Sequence, residues 1–146
     1  MRPVQLAALA FAAGMVPSAA MAQSGQIVVQ GHAARAEIER ILNADNLDTA
    51  RMNPRDVAEA MAAIERGRAP DDFWEAYQAH VQAWEQLAAA SEQVQGQNVE
   101  TAFADGSEAL VAAQEAIGTT FSEVERIALN YGARLPLPLA EVQSIV

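Results

Sequence analysis

Apolar positions along this chain recur mainly at intervals of three and four residues, which is the spacing of one face of an α-helix. The strongest example begins after Pro70. Seven side chains there follow one another at alternating steps of four and three residues: Phe73, Tyr77, His80, Trp84, Leu87, Ser91 and Val94. Polar residues such as Glu75 and Glu85 occupy the opposite side. The pattern predicts a long helix with one buried stripe, which ends at the polar segment 95–98.

Two shorter helices are predicted before Pro70. Residues 33–44 carry Ile38, Ile41 and Leu42 at helical spacing, whereas residues 23–31 are predicted to form an extended arm. The next helix begins after Asn53, whose side chain can cap the free N–H groups of a first turn. Its apolar stripe is Val57, Met61 and Ile64, and Gly67 is predicted to end it.

A last long helix is predicted between Asp105 and Gly132. Asp105 and Glu108 have the spacing of a capping box. The predicted stripe is Leu110, Ile117, Phe121, Val124, Ala128 and Tyr131. The tail, residues 133–146, is predicted to begin extended because it contains Pro136 and Pro138.

The fold class follows from these elements and from the abundance of alanine, the residue with the highest helix propensity. Neither an alternating strand pattern of useful length nor an internal repeat is found in the sequence. Short connections between helices favour antiparallel neighbours. The sequence therefore predicts an all-α protein, a small up-down antiparallel bundle of three to four main helices, with a helical core over residues 32–132 and a tail over residues 133–146.

The N-terminus has the organisation of a bacterial signal peptide. Arg2 is followed by a largely apolar stretch over residues 4–16, a break at Pro17 and the small-x-small sequence of residues 20–22. A transmembrane anchor would need about 20 apolar residues, and this stretch is shorter. We therefore expect residues 1–22 to be removed, leaving residues 23–146 as one domain in the periplasm or secreted, with no stable membrane anchor after cleavage.

Composition excludes several functional classes. The chain has 9 arginines and lysines, all of them arginine, against 19 acidic residues, giving a net charge of −10. Such a charge disfavours nucleic acids as partners, because phosphate groups are repelled. The absence of cysteine excludes disulfides, thiolate catalysis and cysteine-based metal sites.

Chemistry-bearing residues cluster on the long helix that follows Pro70. Trp74, Tyr77, His80 and Trp84 are the candidates for binding a ligand or partner, and Trp74 lies one position away from the stripe. A buried structural role is the simpler interpretation for Tyr77 and Trp84, and for His80 as well. No Glu-x-x-His sequence is present, so a di-iron site is not expected.

The expected function is that of an exported, non-enzymatic helical module, because the sequence contains no known catalytic motif. Its partner would be another exported or envelope protein, or a small apolar ligand, and no cofactor is expected. The alternative is non-covalent haem or a metal ion held by His80, with Met52 or Met61 as a second haem ligand. An enzyme of another type ranks third.

The signal-peptide hypothesis predicts that the mature protein begins near Gln23. Mass analysis of the intact protein extracted from its native host would measure this directly. Cleavage after Ala20 would be a small correction, because residues 18–20 also fit the site. A mature pool that retains Met1 would contradict the hypothesis.

Overall fold

A computed structural model describes the backbone of residues 20–96 and 106–137, and the side chains of residues 31–96 and 106–137. These residues form four α-helices and contain no strand: α1 (Ala20–Ala44), α2 (Pro54–Ala62), α3 (Asp71–Gly96) and α4 (Ser107–Asn130). The all-α prediction is confirmed. The expected signal peptide lies almost entirely outside the described residues, and its predicted cleavage site falls in the first turn of α1.

Contacts between α3 and α4 show that these two long helices run antiparallel. His80 in the middle of α3 is hydrogen-bonded to Thr120 in the middle of α4, over 2.9 Å. Near the start of α3, Asp72 accepts a hydrogen bond of 3.0 Å from the hydroxyl of Tyr131, which directly follows α4. Small side chains are buried on both helices: Ala83, Ala88 and Ala90 of α3 and Ala113 and Ala128 of α4. Small side chains allow two helices to approach closely.

α2 also runs antiparallel to α3. Arg55 in its first turn forms an ion pair of 2.9 Å with Glu92 near the end of α3, and the carbonyl of Met61 near its end accepts a bond of 3.3 Å from Tyr77. Asn53 caps α2 as predicted, because its Oδ1 accepts a hydrogen bond of 2.9 Å from the N–H of Asp56.

The end of α2 differs from the prediction. The helix stops at Ala62, and Gly67 lies in the following turn with a φ of 57°. Beyond the end of the helix, the Arg66 guanidinium donates to the carbonyl of Ala69 over 3.2 Å and pairs with Asp71 at the start of α3. These bonds hold residues 66–69 in a turn between α2 and α3.

α1 is longer than predicted. The segment 23–31, expected to be extended, is helical in its backbone and continues into the predicted helix over residues 33–44. No proline lies within this segment. Gly25 and Gly31 lower its helix propensity but do not prevent a helix. Ile38, Ile41 and Leu42 are buried, as their spacing predicts.

The chain after α4 packs against α1. Gly132 has a φ of 71°, and the N–H of Ala133 donates to the carbonyl of Ala128 over 3.0 Å, which is the Schellman arrangement that ends helices. Residues 133–137 then run extended alongside α1, where the N–H of Arg134 donates to Glu39 over 3.0 Å. Asp105, the predicted cap of α4, and residues 138–146 of the tail lie outside the described residues.

Each predicted stripe contributes to the core, although several of its positions are only partly buried or exposed. Phe73, Tyr77 and His80 are buried on α3. Trp84 is only partly buried, and Phe121, predicted in the core stripe of α4, is 41% exposed. The prediction for Phe121 is wrong because its ring lies beside His80 at the edge of a pocket instead of between two helices.

The burial pattern predicts very different effects for two apolar truncations. Phe73→Ala should lower the free energy of unfolding by about 3–5 kcal/mol, because the ring is fully buried. Leu129→Ala should change it by less than about 0.5 kcal/mol, since that side chain is 57% exposed. Denaturant unfolding of both variants measures the difference, and similar effects would show that the core is placed wrongly.

Candidate functional site

A pocket of about 290 Å³ opens between the α1–α2 connection and helices α2, α3 and α4. Eleven residues line it: Asp45, Asn46, Leu47, Thr49, Val57, Met61, His80, Trp84, Ile117, Gly118 and Phe121. Most of its wall is apolar. The two titratable side chains of the lining are Asp45, which directly follows α1, and His80 from the middle of α3.

The hydrogen bonds around His80 determine which ring nitrogen carries the proton. The hydroxyl of Thr120 donates its one hydrogen to a backbone carbonyl of its own helix, with Ala116 at 2.7 Å and Ile117 at 3.2 Å. With that hydrogen directed at the carbonyl, the hydroxyl accepts at its contact with His80, and we assign the imidazole proton to Nδ1. The neutral ring then carries its lone pair on Nε2.

Nε2 of His80 is left without a protein partner by the described residues. Among the described residues, the hydrogen bond of His80 is the one to Thr120, and every fully buried side-chain nitrogen or oxygen has a partner. Nε2 must therefore be reachable by solvent, although the whole side chain is only 4% exposed. Since His80 lines the pocket, the pocket offers a hydrogen-bond acceptor at this position.

Burial keeps the imidazole neutral. It lowers the pKa of His80 from 6.5 to about 4, because the charged form loses solvation. At neutral pH His80 is therefore an acceptor at Nε2 and a donor at Nδ1, without charge.

Burial has the opposite effect on the acid at the other side of the pocket. It raises the pKa of Asp45 from 3.8 to about 7, and an interaction with the Tyr77 hydroxyl partly offsets the increase. The same environment raises the pKa of Tyr77, so that hydroxyl stays protonated. Tyr77 can donate to Met61 while a protonated Asp45 donates to Tyr77, or donate to Asp45 when the acid is ionised.

The structure brings together two of the four candidate residues. His80 and Trp84 line the pocket, and the ring of Phe121 lies 5.4 Å from the imidazole. Tyr77 is buried beneath the site and contacts Asp45. Trp74 is partly buried and packs against the ring of Tyr77 at 5.5 Å, outside the pocket.

Most of the lining residues were not predicted as site residues, among them Asp45, Phe121 and Gly118. Asp45 follows a helix end that the sequence marks only as an interruption, Phe121 has the spacing of a core residue, and Gly118 lowers the helix propensity of α4 without indicating a reason. A Cβ at Gly118 would meet no atom within 4 Å, so the missing side chain contributes open space to the pocket. The signal available in the sequence was this glycine inside an otherwise strong helical pattern.

The haem and metal alternatives require groups that this site supplies poorly. In the described parts of the chain, no three His, Asp or Glu side chains come together as metal ligands. Met61 does line the pocket with His80, but an engineered cavity of about 150 Å³ is filled by benzene, and a porphyrin is several times larger than benzene. The residues of this pocket therefore do not fit an enclosed haem.

Comparisons with protein-family models, with curated proteins and with solved structures found no match to this chain. In the part of the chain that the structure describes, no helix has both the length and the apolar character needed to cross a membrane.

The opposite pKa changes of Asp45 and His80 predict opposing contributions to the pH dependence of stability. Between about pH 4 and 7 the folded protein holds a proton on Asp45 that the unfolded chain releases, so this contribution decreases as pH rises. Between about pH 4 and 6.5 the unfolded chain holds a proton on His80 that the folded protein lacks, so this contribution increases as pH rises.

Two substitutions should separate these contributions. The stability of Asp45→Asn relative to the parent should rise with pH in this range, and that of His80→Gln should fall, each by up to about 1.4 kcal/mol per pH unit. Denaturant unfolding between pH 4 and 7.5 measures both differences. Differences that do not vary with pH would mean that neither group is shifted by burial.

Proposed function

We propose that this chain is an exported, non-enzymatic helical protein that binds one small, largely apolar organic molecule in the pocket between α2, α3 and α4. The supporting observation is a concave, mostly apolar pocket with a free imidazole nitrogen on its wall. Ligand sites are typically apolar clefts in which a few polar groups fix the orientation of the ligand. Export is proposed from the N-terminal sequence alone.

The volume of the pocket limits the size of the ligand. At about 290 Å³ it lies at the lower end of the range for small-molecule sites, which is about 300–1,000 Å³. It is roughly twice the cavity that benzene fills. A molecule with one or two rings, or an aliphatic chain of similar bulk, matches this space.

The chemistry of His80 supports binding more than catalysis. A general base is most effective when its pKa lies near the working pH, whereas the pKa of His80 is lowered to about 4. The hydroxyl of Thr120 is also not activated by the imidazole, because His80 donates to it. A threonine nucleophile would need the reverse arrangement, with the imidazole accepting the hydroxyl proton.

Binding of a partner protein has weaker support. The large apolar side chains that are exposed in the described residues include Val111 and Leu129, which are separated by about 27 Å along α4 at 1.5 Å per residue. Phe121 lies between them in sequence but belongs to the edge of the pocket. Separate exposed apolar residues are common on monomeric proteins and do not form an interaction surface.

A small panel of one-ring and two-ring molecules, carrying neutral, cationic or anionic groups, tests the proposal. We expect at least one to bind with 1:1 stoichiometry and a Kd below about 1 mM, which corresponds to about −4.1 kcal/mol. Isothermal titration calorimetry measures the affinity and the stoichiometry. Failure of every compound to bind would contradict the proposed function.

A matched pair of glycine substitutions shows whether binding occurs in this pocket. Gly118→Leu places a side chain in the open space and should weaken binding by at least about tenfold, or about 1.4 kcal/mol. Gly96→Leu, at the far end of α3, also adds a side chain where no atom lies within 4 Å and should leave affinity unchanged. Equal effects of the two substitutions would place the binding site elsewhere.

A further inference from the structure

The lining of the pocket points to one class of ligand. We propose that the site binds an organic amine in its protonated form, with the ammonium group bound by the Asp45 carboxylate and Nε2 of His80 and an apolar body against Trp84 and Phe121. This inference rests on the proposed function, since it names the chemistry of the molecule that the same pocket holds.

Two polar groups of the pocket can only accept hydrogen bonds. Nε2 of His80 accepts while Nδ1 donates to Thr120, and an ionised Asp45 offers only acceptors as well. The Asn46 amide donates one of its two N–H groups to the carbonyl of Leu137 over 3.2 Å, and the Thr49 hydroxyl can donate or accept. An ammonium group has three donors and no acceptor, so it complements Asp45 and Nε2 of His80.

The pocket lacks a positive charge of its own. None of the eleven lining residues is an arginine or lysine, and the side chain that interacts with Asp45 is the uncharged Tyr77 hydroxyl. A buried carboxylate without a positive partner is costly, and a cationic ligand supplies that partner. The net charge of −10 also attracts cations to the surface and repels organic anions.

Two aromatic side chains form part of the pocket wall. Phe121 lies 5.4 Å from the imidazole, and Trp84 lines the same pocket one helical turn beyond His80. Faces of tryptophan and phenylalanine rings attract ammonium groups within about 6 Å and also pack against apolar ligand atoms. A ligand held at Nε2 of His80 is therefore close to a ring that favours positive charge.

Binding of an ammonium group should be coupled to loss of a proton from Asp45. Because the pKa of Asp45 is raised to about 7, part of the free protein carries a protonated Asp45 near neutral pH. Those molecules must lose this proton when a cation binds. Groups from three helices and from the connection after α1 surround Asp45. α2 contributes Val57 and Met61, α4 contributes Ile117 and Phe121, and on α3 both Tyr77 and His80 stay neutral because of their shifted pKa values. In the connection after α1, Asp48 is paired with Arg51.

The test compares three molecules of similar shape by isothermal titration calorimetry: 2-phenylethylamine, 2-phenylethanol and 3-phenylpropionate. At pH 8 we expect the amine to bind at least about tenfold more tightly than the alcohol, or about 1.4 kcal/mol, and the anion to bind most weakly. Between pH 6 and 8 the affinity for the amine should rise about tenfold, following the ionised fraction of Asp45. The affinity for the alcohol should not rise.

Two further measurements assign the effect to Asp45. Titration of the parent protein at pH 6 in buffers of different ionisation enthalpy should show release of close to one proton per amine bound. Asp45→Asn, which imitates the protonated acid, should remove the proton release and the preference for the amine. His80→Gln replaces the imidazole with an amide. It should weaken binding of both the amine and the alcohol while leaving the proton release intact.

The outcomes distinguish this inference from the proposed function. If the alcohol binds as tightly as the amine at pH 8, or if no proton is released, the amine assignment is overturned while binding in the pocket stands. The same holds if Asp45→Asn retains the full preference for the amine. If none of the three molecules binds but a neutral or anionic member of the panel does, the amine assignment also fails. If nothing binds, the proposed function itself fails.

Discussion

The hydrogen bond between His80 and Thr120 connects the middle of α3 to the middle of α4, and much of the architecture depends on it. An imidazole in the buried stripe of a helix costs free energy unless its polar atoms have partners. Thr120 provides one partner, and the hydrogen bond helps to fix the register of these two long helices where they cross the core. The other ring nitrogen is left for the pocket. A single contact thus aligns two helices and determines the chemical character of the site.

Asp45 and His80 show how one environment moves two groups in opposite directions. Burial disfavours whichever form is charged, so it raises the pKa of the acid to about 7 and lowers that of the imidazole to about 4. Both groups are therefore largely uncharged in the weakly acidic range, and an internal ion pair does not form. The pocket stays compatible with an apolar ligand, while Asp45 remains close enough to ionisation for a positive charge to remove its proton.

Periodicity predicted the fold because helical stripes record burial directly. Ile38, Ile41 and Leu42 are all buried as their spacing predicts, and Asn53 caps α2. The helix ends were less accurate, since α2 stops at Ala62, five residues before the glycine predicted to end it. The site was harder still. Periodicity places His80 and Trp84 on one face but cannot show that Asp45, 35 positions before His80, meets them, because only tertiary packing brings the end of α1 to α3.

Three residues that oppose folding lie together at the pocket, and their proximity supports a functional role for this site. Gly118 in the interior of α4 costs about 1 kcal/mol of helix propensity relative to alanine. Asp45 and His80 are titratable groups in a poorly solvated position. Elsewhere the described core is filled with alanine and aliphatic side chains, and every buried polar side-chain atom has a partner. Features that oppose folding tend to gather at sites that serve binding or catalysis. Replacing Gly118 by alanine and Asp45 by an apolar residue would favour the fold, but it would also close the space and remove the charge that a ligand could use.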